Sequence, residues 1–538
     1  MITIIVSWIF LFVVVTLLGR FFSRTVLVDK KVGLFENHWI GFIFLIVFLQ
    51  IYSLGFSISV GVWLVVIILT LLGLKGMSIR ALAKSVKDNL TPLYIIISLI
   101  IIVTAAYSSG KQIIWGDTYL YHLDMVRLAS EFKVIPGLAN LSRNYGINSS
   151  FFLFAAFIDT WVFEFRSAHI ALGYMGVVTA LQWLKVVLNG KDKYTVAFCV
   201  LSAPYLFSRL WGVEAASFST DFAQGLMILL FGYYFLLKGK DIPRLFLLGG
   251  LGALVFIFKL NGAFYLLLSA AYLVASARKI FSRSVVISLI VLSLLVGGFV
   301  IRNIIISGWL VYPVPISALR LRLPWSLQNI EVEDIVAEIR GWVRTPVVDK
   351  YKEASSAPLS EWLPDWVRRK VRTMEFEVSV TTLFFLLYSV LYFQKKVPPR
   401  VLAMIAVSAV SIFFVMYSAP EFRYAYIYIW TLLVYSLVPF LTKPFEILRE
   451  KGGLVVIFIA LVIFFSGIGP NIDHISCPFC VRRDRSCLPE VLGFYHLPQV
   501  NEKELGAYRA DERKCSFNKK ELLFRIPGKL EGGFNNPY

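Results

Sequence analysis

Residues Trp115 to Ser150 read WGDTYLYHLDMVRLASEFKVIPGLANLSRNYGINSS, a polar stretch in a chain that is otherwise mostly hydrocarbon. It follows an apolar run that ends near Tyr107, so we expect it to lie at a membrane surface. The stretch opens with an acid and a histidine, Asp117 and His122. Its arginines and asparagines can donate hydrogen bonds to hydroxyls or phosphates. This set of side chains suits a polar, phosphorylated substrate.

The composition is that of a polytopic membrane protein. Of the 538 residues, 58% are hydrophobic and only 16% are charged, and the mean hydropathy is +0.73. The formal net charge of +19 would suggest a polyanionic partner for a soluble protein. Here the basic residues concentrate in short loops between apolar runs, where they report membrane topology because such loops stay in the cytoplasm. We therefore exclude a nucleic-acid partner.

The apolar runs predict an all-α polytopic membrane protein with about fourteen spans. No basic residue precedes the first run and several follow it, so we expect a retained span rather than a cleaved signal. The predicted spans are Ile2 to Leu18, Trp39 to Ser53, Ile58 to Leu74, Leu93 to Tyr107, Ala168 to Leu188, Thr195 to Leu210, Phe222 to Leu237, Leu245 to Phe258, Gly262 to Ala277, Ser284 to Ile301, Val380 to Phe393, Val401 to Ser418, Tyr424 to Leu441 and Leu454 to Gly469.

One apolar run is left out of that count. Treating Phe151 to Phe163 as a span would place the basic loop Asn189 to Tyr194 outside and would invert the charge rule from there on. We therefore expect a re-entrant or interface-lying helix. Residues 1–469 then form one transmembrane module, and the first outer loop (108–167) and a later outer segment (302–379) both lie on the outer side.

Two outer segments have features of their own. In the later one, apolar residues recur at helical spacing and predict an amphipathic helix lying over the bundle; they are Ile335, Val336, Ile339, Trp342 and Val343. Residues 470–538 form a polar tail with Cys477, Cys480, Cys487 and Cys515. Because the tail is predicted to lie outside, two disulfides are favoured over a zinc site, with all three pairings open.

Ionisable and polar candidates collect at the predicted outer ends of the spans. Placing a charge near hydrocarbon is unfavourable unless the charge is paired or used. Carboxylates there could act as a general base, while Lys and Arg could bind a phosphate. The candidates are Asp117, Tyr121, His122, Arg143, Asn148, Glu214, Asp221, Lys259, Arg302 and Arg423. Their arrangement predicts transfer from a lipid-borne phosphate, with the lipid tail remaining in the bilayer.

Most of these candidates also have a purely structural interpretation. Tyr121 could belong to an aromatic belt at the membrane interface. Asp117 could cap the helix that begins at Thr118, since Asp is a favoured N-cap. His122 could simply be structural. Salt bridges could join Glu214 or Asp221 to Arg209 and Arg423 to Glu421, while Lys259 and Arg302 could snorkel to the interface.

Four stretches carry a resemblance to a known superfamily: GDTYLYHL, VIPGLANLSRNYGINSSFFL, RNIIISGWLVYP and PEFRYAY. With the order of the spans, they resemble the GT-C superfamily of membrane glycosyltransferases, which use polyprenyl-phosphate sugars, and more closely a group of bacterial multi-span proteins within it. The likeness covers most of residues 100 to 430. It implies a GT-C-like helical bundle with outer-face loops and juxtamembrane helices, in the bacterial inner (plasma) membrane with the active site and the tail facing the periplasm or exterior.

The resemblance also implies roles for individual residues. The acid in the first outer loop is the superfamily's catalytic base, which by motif position is Asp117, and Lys259, Arg302 and Arg423 are expected to bind the donor phosphate. GDTYLYH lacks the paired acids of several branches, so we expect metal-independent transfer, with no cofactor beyond the lipid-linked sugar. The resemblance implies that the transfer inverts the configuration, and the acceptor is expected to be a glycan, lipid or protein. The alternatives are a polysaccharide polymerase or ligase that uses lipid-diphosphate donors, and a lipid or polysaccharide transporter, which the scarcity of mid-span charges disfavours.

Overall fold

The computed structural model describes most of the chain up to residue 468. The described residues are 1–28, 32–75, 91–111, 113, 115–160, 166–237, 241–277, 283–347, 350–371, 373–392, 397–450 and 452–468. All regular secondary structure in these ranges is helical, apart from one isolated bridge between Trp309 and Arg320. The tail with Cys477, Cys480, Cys487 and Cys515 lies outside the described residues, so its disulfides stay a prediction.

The helices are numbered here in chain order within the described ranges. They are α1 (Ile2–Thr25), α2 (Leu34–Gly55), α3 (Val60–Leu74), α4 (Pro92–Ser109), α5 (Leu123–Glu131), α6 (Ser150–Ile158), α7 (Ala171–Asn189), α8 (Lys193–Leu210), α9 (Thr220–Leu236), α10 (Ile242–Phe258), α11 (Ala263–Ala277), α12 (Arg283–Ser307), α13 (Asn329–Arg344), α14 (Tyr351–Ser356), α15 (Leu359–Lys370), α16 (Met374–Tyr392), α17 (Pro399–Ser418), α18 (Phe422–Glu450) and α19 (Gly453–Ile468).

A helix lies at each of the fourteen predicted spans. Within the described ranges, seven are long and apolar enough to cross a membrane, in α1, α2, α4, α7, α12, α17 and α18. Shorter apolar helices of 10–17 residues lie in α3, α9, α10, α11 and α19. Helices suit the hydrocarbon interior of a membrane because each one satisfies its backbone hydrogen bonds internally. The prediction of a helical polytopic membrane protein is therefore confirmed, while the count of fourteen spans stays a prediction.

Among the described residues, three contacts join helix ends that border predicted cytoplasmic loops. Arg24 donates to the carbonyl of Lys75 at 2.8 Å, and Lys193 faces Glu446 at 3.7 Å. Arg400 donates to the carbonyl of Leu237. Local sequence fixes these ends as well, because Asp and Thr side chains cap the helices that begin there; Thr91 caps α4, Asp192 caps α8 and Asp241 caps α10. The side of the membrane that they face stays a prediction.

Most of the run that was excluded from the spans lies in α6, which has nine residues and is buried along its whole length; the end of the run, 161–163, lies outside the described residues. At 1.5 Å per residue it is about 13 Å long, less than half the thickness of the hydrocarbon layer. Trp63 of α3 fixes its end, because the indole stacks on Phe157 at 4.1 Å and donates to Thr160 Oγ1 at 2.6 Å. An interface-lying helix would have an exposed face, so that alternative is wrong: α6 is a short helix enclosed by the bundle. The re-entrant alternative stays a prediction.

The predicted amphipathic helix is α13, and its apolar face differs in part from the prediction. Ile335 and Val343 are buried, but Trp342 is 45% exposed. A further helix, α15, was not predicted. It packs Trp366 onto the protein, where the indole donates to the carbonyl of Pro420 at 2.7 Å. These helices therefore cover the start of α18.

Small residues allow α1 and α2 to pack in contact. A Cβ atom at Gly19 would overlap the carbonyl oxygen of Asn37, and one at Gly41 would overlap the carbonyl oxygen of Val15. Close approach of this kind is typical of helix pairs in membranes, where small side chains let the backbones meet.

We predict that Gly41→Ala lowers the melting temperature of the purified protein in detergent, because the added methyl must push the two helices apart. Overpacking of this kind costs about 1–3 kcal/mol. Gly297→Ala is the matched control, since a Cβ there meets nothing within 4 Å. Equal melting temperatures for the two variants would show that α1 and α2 do not pack as described.

Candidate active site

Four charged residues from distant parts of the chain meet at one place. Asp117 follows α4, Asp221 lies in the first turn of α9, Lys259 lies between α10 and α11, and Arg423 lies in the first turn of α18. We call these four residues the charge cluster. All four were predicted candidates, so the expectation that they share one site agrees with their contacts.

The ion pairs of the charge cluster form a chain of alternating sign. Arg423 Nη2 lies 2.9 Å from Asp117 Oδ2, and Arg423 Nε lies 3.7 Å from Asp221 Oδ2. Lys259 Nζ makes an ion pair with Asp221 Oδ1. The four side chains are between 17% and 28% exposed, so the cluster is mostly enclosed but remains reachable. Its two positive and two negative charges balance, which is what allows them to lie beside apolar helices.

Aromatic rings surround the guanidinium of Arg423. Its Cζ lies 5.3 Å from the ring centre of Trp115, 5.7 Å from that of Trp342 and 4.9 Å from that of Tyr424. Lys259 Nζ lies 4.0 Å from the Tyr424 ring centre. Cations are attracted to the faces of such rings. The rings therefore add to the ion pairs in fixing where both positive charges lie.

A hydrogen-bond network holds the turn that carries Lys259. Gln224 Nε2 donates to the carbonyl of Lys259 at 2.9 Å and to Asn261 Oδ1 at 2.8 Å. Tyr428 donates its hydroxyl to the same Asn261 oxygen at 3.0 Å. Gln224 lies one turn after Asp221 on α9. The same helix therefore carries the carboxylate that pairs with the Lys259 ammonium and the amide that binds the Lys259 backbone carbonyl.

The segment after Asp117 has unusual local structure. Thr118–His122 forms a single π-helical turn that continues into α5. Such turns are rare and occur frequently at functional sites. The Asp117 side chain makes no capping hydrogen bond to this turn, so the interpretation of Asp117 as an N-cap is wrong. Its carboxylate is directed instead at Arg423.

His122 lies next to the charge cluster and is only 2% exposed. Its ring packs against Phe152 at 5.0 Å and against Tyr121 at 4.3 Å. Neither ring nitrogen has a hydrogen-bond partner among the residues that the structure describes. Burial lowers the pKa of His122 to about 4, although Asp117 acts to raise it. Burial also raises the pKa of Tyr121 well above its usual range. Both side chains are therefore neutral near pH 7.

Several predicted site residues do not join the charge cluster. Glu214 pairs with Arg209, which is the structural interpretation given above. Arg143 faces Asp334 of α13 at 3.5 Å. Arg423 does not pair with Glu421, because Glu421 accepts a hydrogen bond from Lys370 at 2.7 Å. No contact of Glu214 or Arg143 therefore supports a direct role in the cluster.

Arg302 and Asn148 lie together at a different place. Arg302 Nε donates to Asn148 Oδ1 at 3.4 Å, and Arg302 Nη1 donates to Ser53 Oγ at 2.7 Å. Its side chain is buried, so it does not snorkel to an interface. The predicted phosphate-binding set is therefore divided, with Lys259 and Arg423 in the charge cluster and Arg302 outside it.

Sequence reasoning missed the residues that position the charges. Tyr424 contacts both cations, and Trp342 was assigned to the apolar face of α13. Gln224 could have been found, because it is a polar residue in an apolar run one helical turn after Asp221. Within the described ranges, no group of three or more His, Cys, Asp or Glu side chains could hold a metal ion.

We predict that His122 makes stability depend on pH between about 4 and 6.5. In this range the unfolded chain binds a proton at His122, whose ordinary pKa is about 6.5, while the folded protein excludes it. The free energy of unfolding therefore falls as the pH falls, with a slope that corresponds to the uptake of up to about one proton on unfolding. His122→Phe should flatten this slope in unfolding measured in detergent from pH 7 to pH 4.5, whereas Tyr121→Phe should keep it. An unchanged slope in His122→Phe would contradict the buried, neutral state.

Comparison with known proteins identifies a family. A sequence model described as domain of unknown function DUF8201 matches residues 1–430, which include the whole charge cluster and His122. No curated protein and no solved structure matches the chain. Because the match covers well over half of its residues, the chain belongs to the DUF8201 family.

Proposed function

We propose that this protein is a membrane glycosyltransferase that moves a sugar from a polyprenyl-phosphate donor to an acceptor hydroxyl on the extracytoplasmic face. The observation that supports this most is the charge cluster, in which two carboxylates and two cations meet at the ends of apolar helices. The resemblance to the GT-C superfamily supplies the sugar and the lipid carrier. The acceptor is a glycan, a lipid or a protein, and no metal or further cofactor takes part.

The two cations suit the donor phosphate. Arg423 presents a planar set of N–H donors that matches phosphate oxygens, and Lys259 adds a compact positive charge. The aromatic rings lie over Arg423 and hold its position. Without a ligand, Asp117 and Asp221 neutralise both cations. A phosphate carried by a lipid would compete with Asp117 for Arg423 Nη2, so donor binding would release the Asp117 carboxylate.

The released Asp117 would then act as the general base. The acceptor hydroxyl oxygen forms a bond to the anomeric carbon while its proton passes to Asp117. The bond between that carbon and the phosphate oxygen breaks, and its electron pair leaves with the phosphate. Arg423 and Lys259 stabilise the charge that develops there. Attack opposite the leaving group inverts the configuration through a transition state with oxocarbenium character.

The neighbouring residues would position the substrates. The neutral ring of His122 can accept a hydrogen bond at one nitrogen and donate one at the other, and a sugar hydroxyl can do both. Tyr121 contacts His122 and presents a neutral hydroxyl. Asp221 pairs with Lys259, so its role is to orient that cation rather than to take the proton.

We predict that Asp117→Asn lowers turnover by about 10²–10⁴-fold, the usual contribution of a general base. Donor affinity should stay equal or improve, because the amide competes less for Arg423. The measurement is release of polyprenyl phosphate from a panel of lipid-linked sugars, followed by mass spectrometry with full-length protein in nanodiscs. Asp365→Asn is the control, since it removes an acid from an exposed position of α15.

Three results would redirect the proposal. Wild-type turnover by Asp117→Asn would show that Asp117 is not the base. Reaction with lipid-diphosphate donors alone would favour the polymerase or ligase alternative. Movement of an intact lipid across the membrane without release of its phosphate would favour a transporter.

We also predict that Arg423→Lys weakens binding of polyprenyl phosphate by about tenfold or more, although the charge is kept. Lysine lacks the planar fork and cannot lie between the rings in the same way. Hydrogen bonds to charged groups contribute enough to account for such a loss. The exposed Arg369→Lys on α15 is the control. Equal dissociation constants for Arg423→Lys and wild type would exclude Arg423 from phosphate binding.

A further inference from the structure

A pocket lies away from the charge cluster. Arg302, in the last part of α12, lines it together with residues of α5 and of the segment that follows. Its other walls are mainly apolar and include Met125, Leu128, Phe132, Leu138 and Ile306. The enclosed cavity is small, about 20 Å³, and the pocket is partly open to the surroundings. No residue of the charge cluster lines this pocket.

Arg302 is a buried cation whose hydrogen-bond partners are neutral. It is 5% exposed and donates to the Ser53 hydroxyl and the Asn148 amide oxygen. No carboxylate of the described residues lies within ion-pair distance, 4.0 Å, of it. A guanidinium has five N–H donors, so two hydrogen bonds leave donors available.

Other buried arginines of this protein show what Arg302 lacks. Arg127 of the neighbouring helix α5 pairs with Glu131 at 3.1 Å and with Asp159 at 3.6 Å. Arg244 donates to backbone carbonyls at the C-terminal end of α9, which carries partial negative charge. Buried charges normally have a partner of this kind. Arg302 therefore has the environment of a cation whose counter-charge is supplied by a ligand.

We propose that Arg302 binds the phosphate of an anionic membrane lipid whose acyl chain lies along the apolar walls of the pocket. Lys133 also lines the pocket and is exposed, so it can contact the same headgroup from the rim. The apolar walls favour an amphiphile over a soluble anion, because a free phosphate would gain nothing from Met125, Leu128 or Ile306. This site does not depend on the proposed transferase reaction, since it shares no residue with the charge cluster.

The test measures lipid retention by native mass spectrometry of the full-length protein after delipidation in detergent. Phosphatidylglycerol is the probe, and phosphatidylcholine and inorganic phosphate are the comparison ligands. Wild type should retain one phosphatidylglycerol. In Arg302→Met the retained fraction should be lower by about tenfold or more, the scale expected for the loss of charge-assisted hydrogen bonds. Arg322→Met, which removes the same charge from an exposed position, should retain it.

A second variant keeps the test decisive, because a substitution at buried Arg302 can impair folding. Ala129→Phe fills the pocket and leaves Arg302 in place, so it should also lose the lipid. Arg423→Lys, which is expected to weaken phosphate binding at the charge cluster, should keep the phosphatidylglycerol, because Arg423 does not line this pocket; this variant therefore separates the proposal from the proposed function. Unchanged retention in folded Arg302→Met or in Ala129→Phe would overturn the site. Displacement by inorganic phosphate at equal concentration, or equal retention of phosphatidylcholine, would overturn its assignment to an anionic lipid.

Discussion

The ion pair between Arg423 and Asp117 is the interaction on which the candidate site depends. It joins the first polar loop to the start of α18, across about three hundred residues of sequence. Asp221 and Lys259 extend it, so that four helix ends are held by one neutral set of charges. Charges beside hydrocarbon are stable only when paired. In the proposed reaction, an incoming anion replaces one internal carboxylate of this set, so that neither cation is left without a counter-charge.

The apolar pattern predicted the helices well, because the need to satisfy backbone hydrogen bonds in lipid leaves little choice of structure. The charge rule also excluded the run that forms α6, a nine-residue helix enclosed by the bundle. The sequence predicted less well which charged residues pair with each other. Glu214 and Asp221 are both acids near the start of α9, yet only Asp221 joins the cluster while Glu214 faces Arg209. Glu214 lies in a short helical turn before α9, whereas Asp221 lies in the first turn of α9. The direction in which Asp221 points depends on the rotation of α9, which a helix that is apolar all round does not record.

The contacts of Arg302 and Trp342 could not be predicted from the sequence either. Topology brings Arg302 to the predicted outer ends with the other cations, but its contacts are Ser53 and Asn148. Trp342 fits the apolar face of α13 by spacing, yet it is half exposed and lies over Arg423. Sequence spacing identifies residues that share a helix face but not the element that covers that face. Lys259 and Arg423 are thus balanced by Asp117 and Asp221. Buried Arg302 has no counter-charge among the described residues.

The most direct test of this account is a structure of the full-length protein with polyprenyl phosphate bound in nanodiscs. We expect phosphate density between Lys259 Nζ and the Arg423 guanidinium, with Asp117 moved out of hydrogen-bond distance of Arg423. Trp115 and Tyr424 should keep their places around the guanidinium. Phosphate bound elsewhere, with the 2.9 Å contact between Arg423 and Asp117 intact, would contradict the central claim that this cluster is an anion-binding catalytic site.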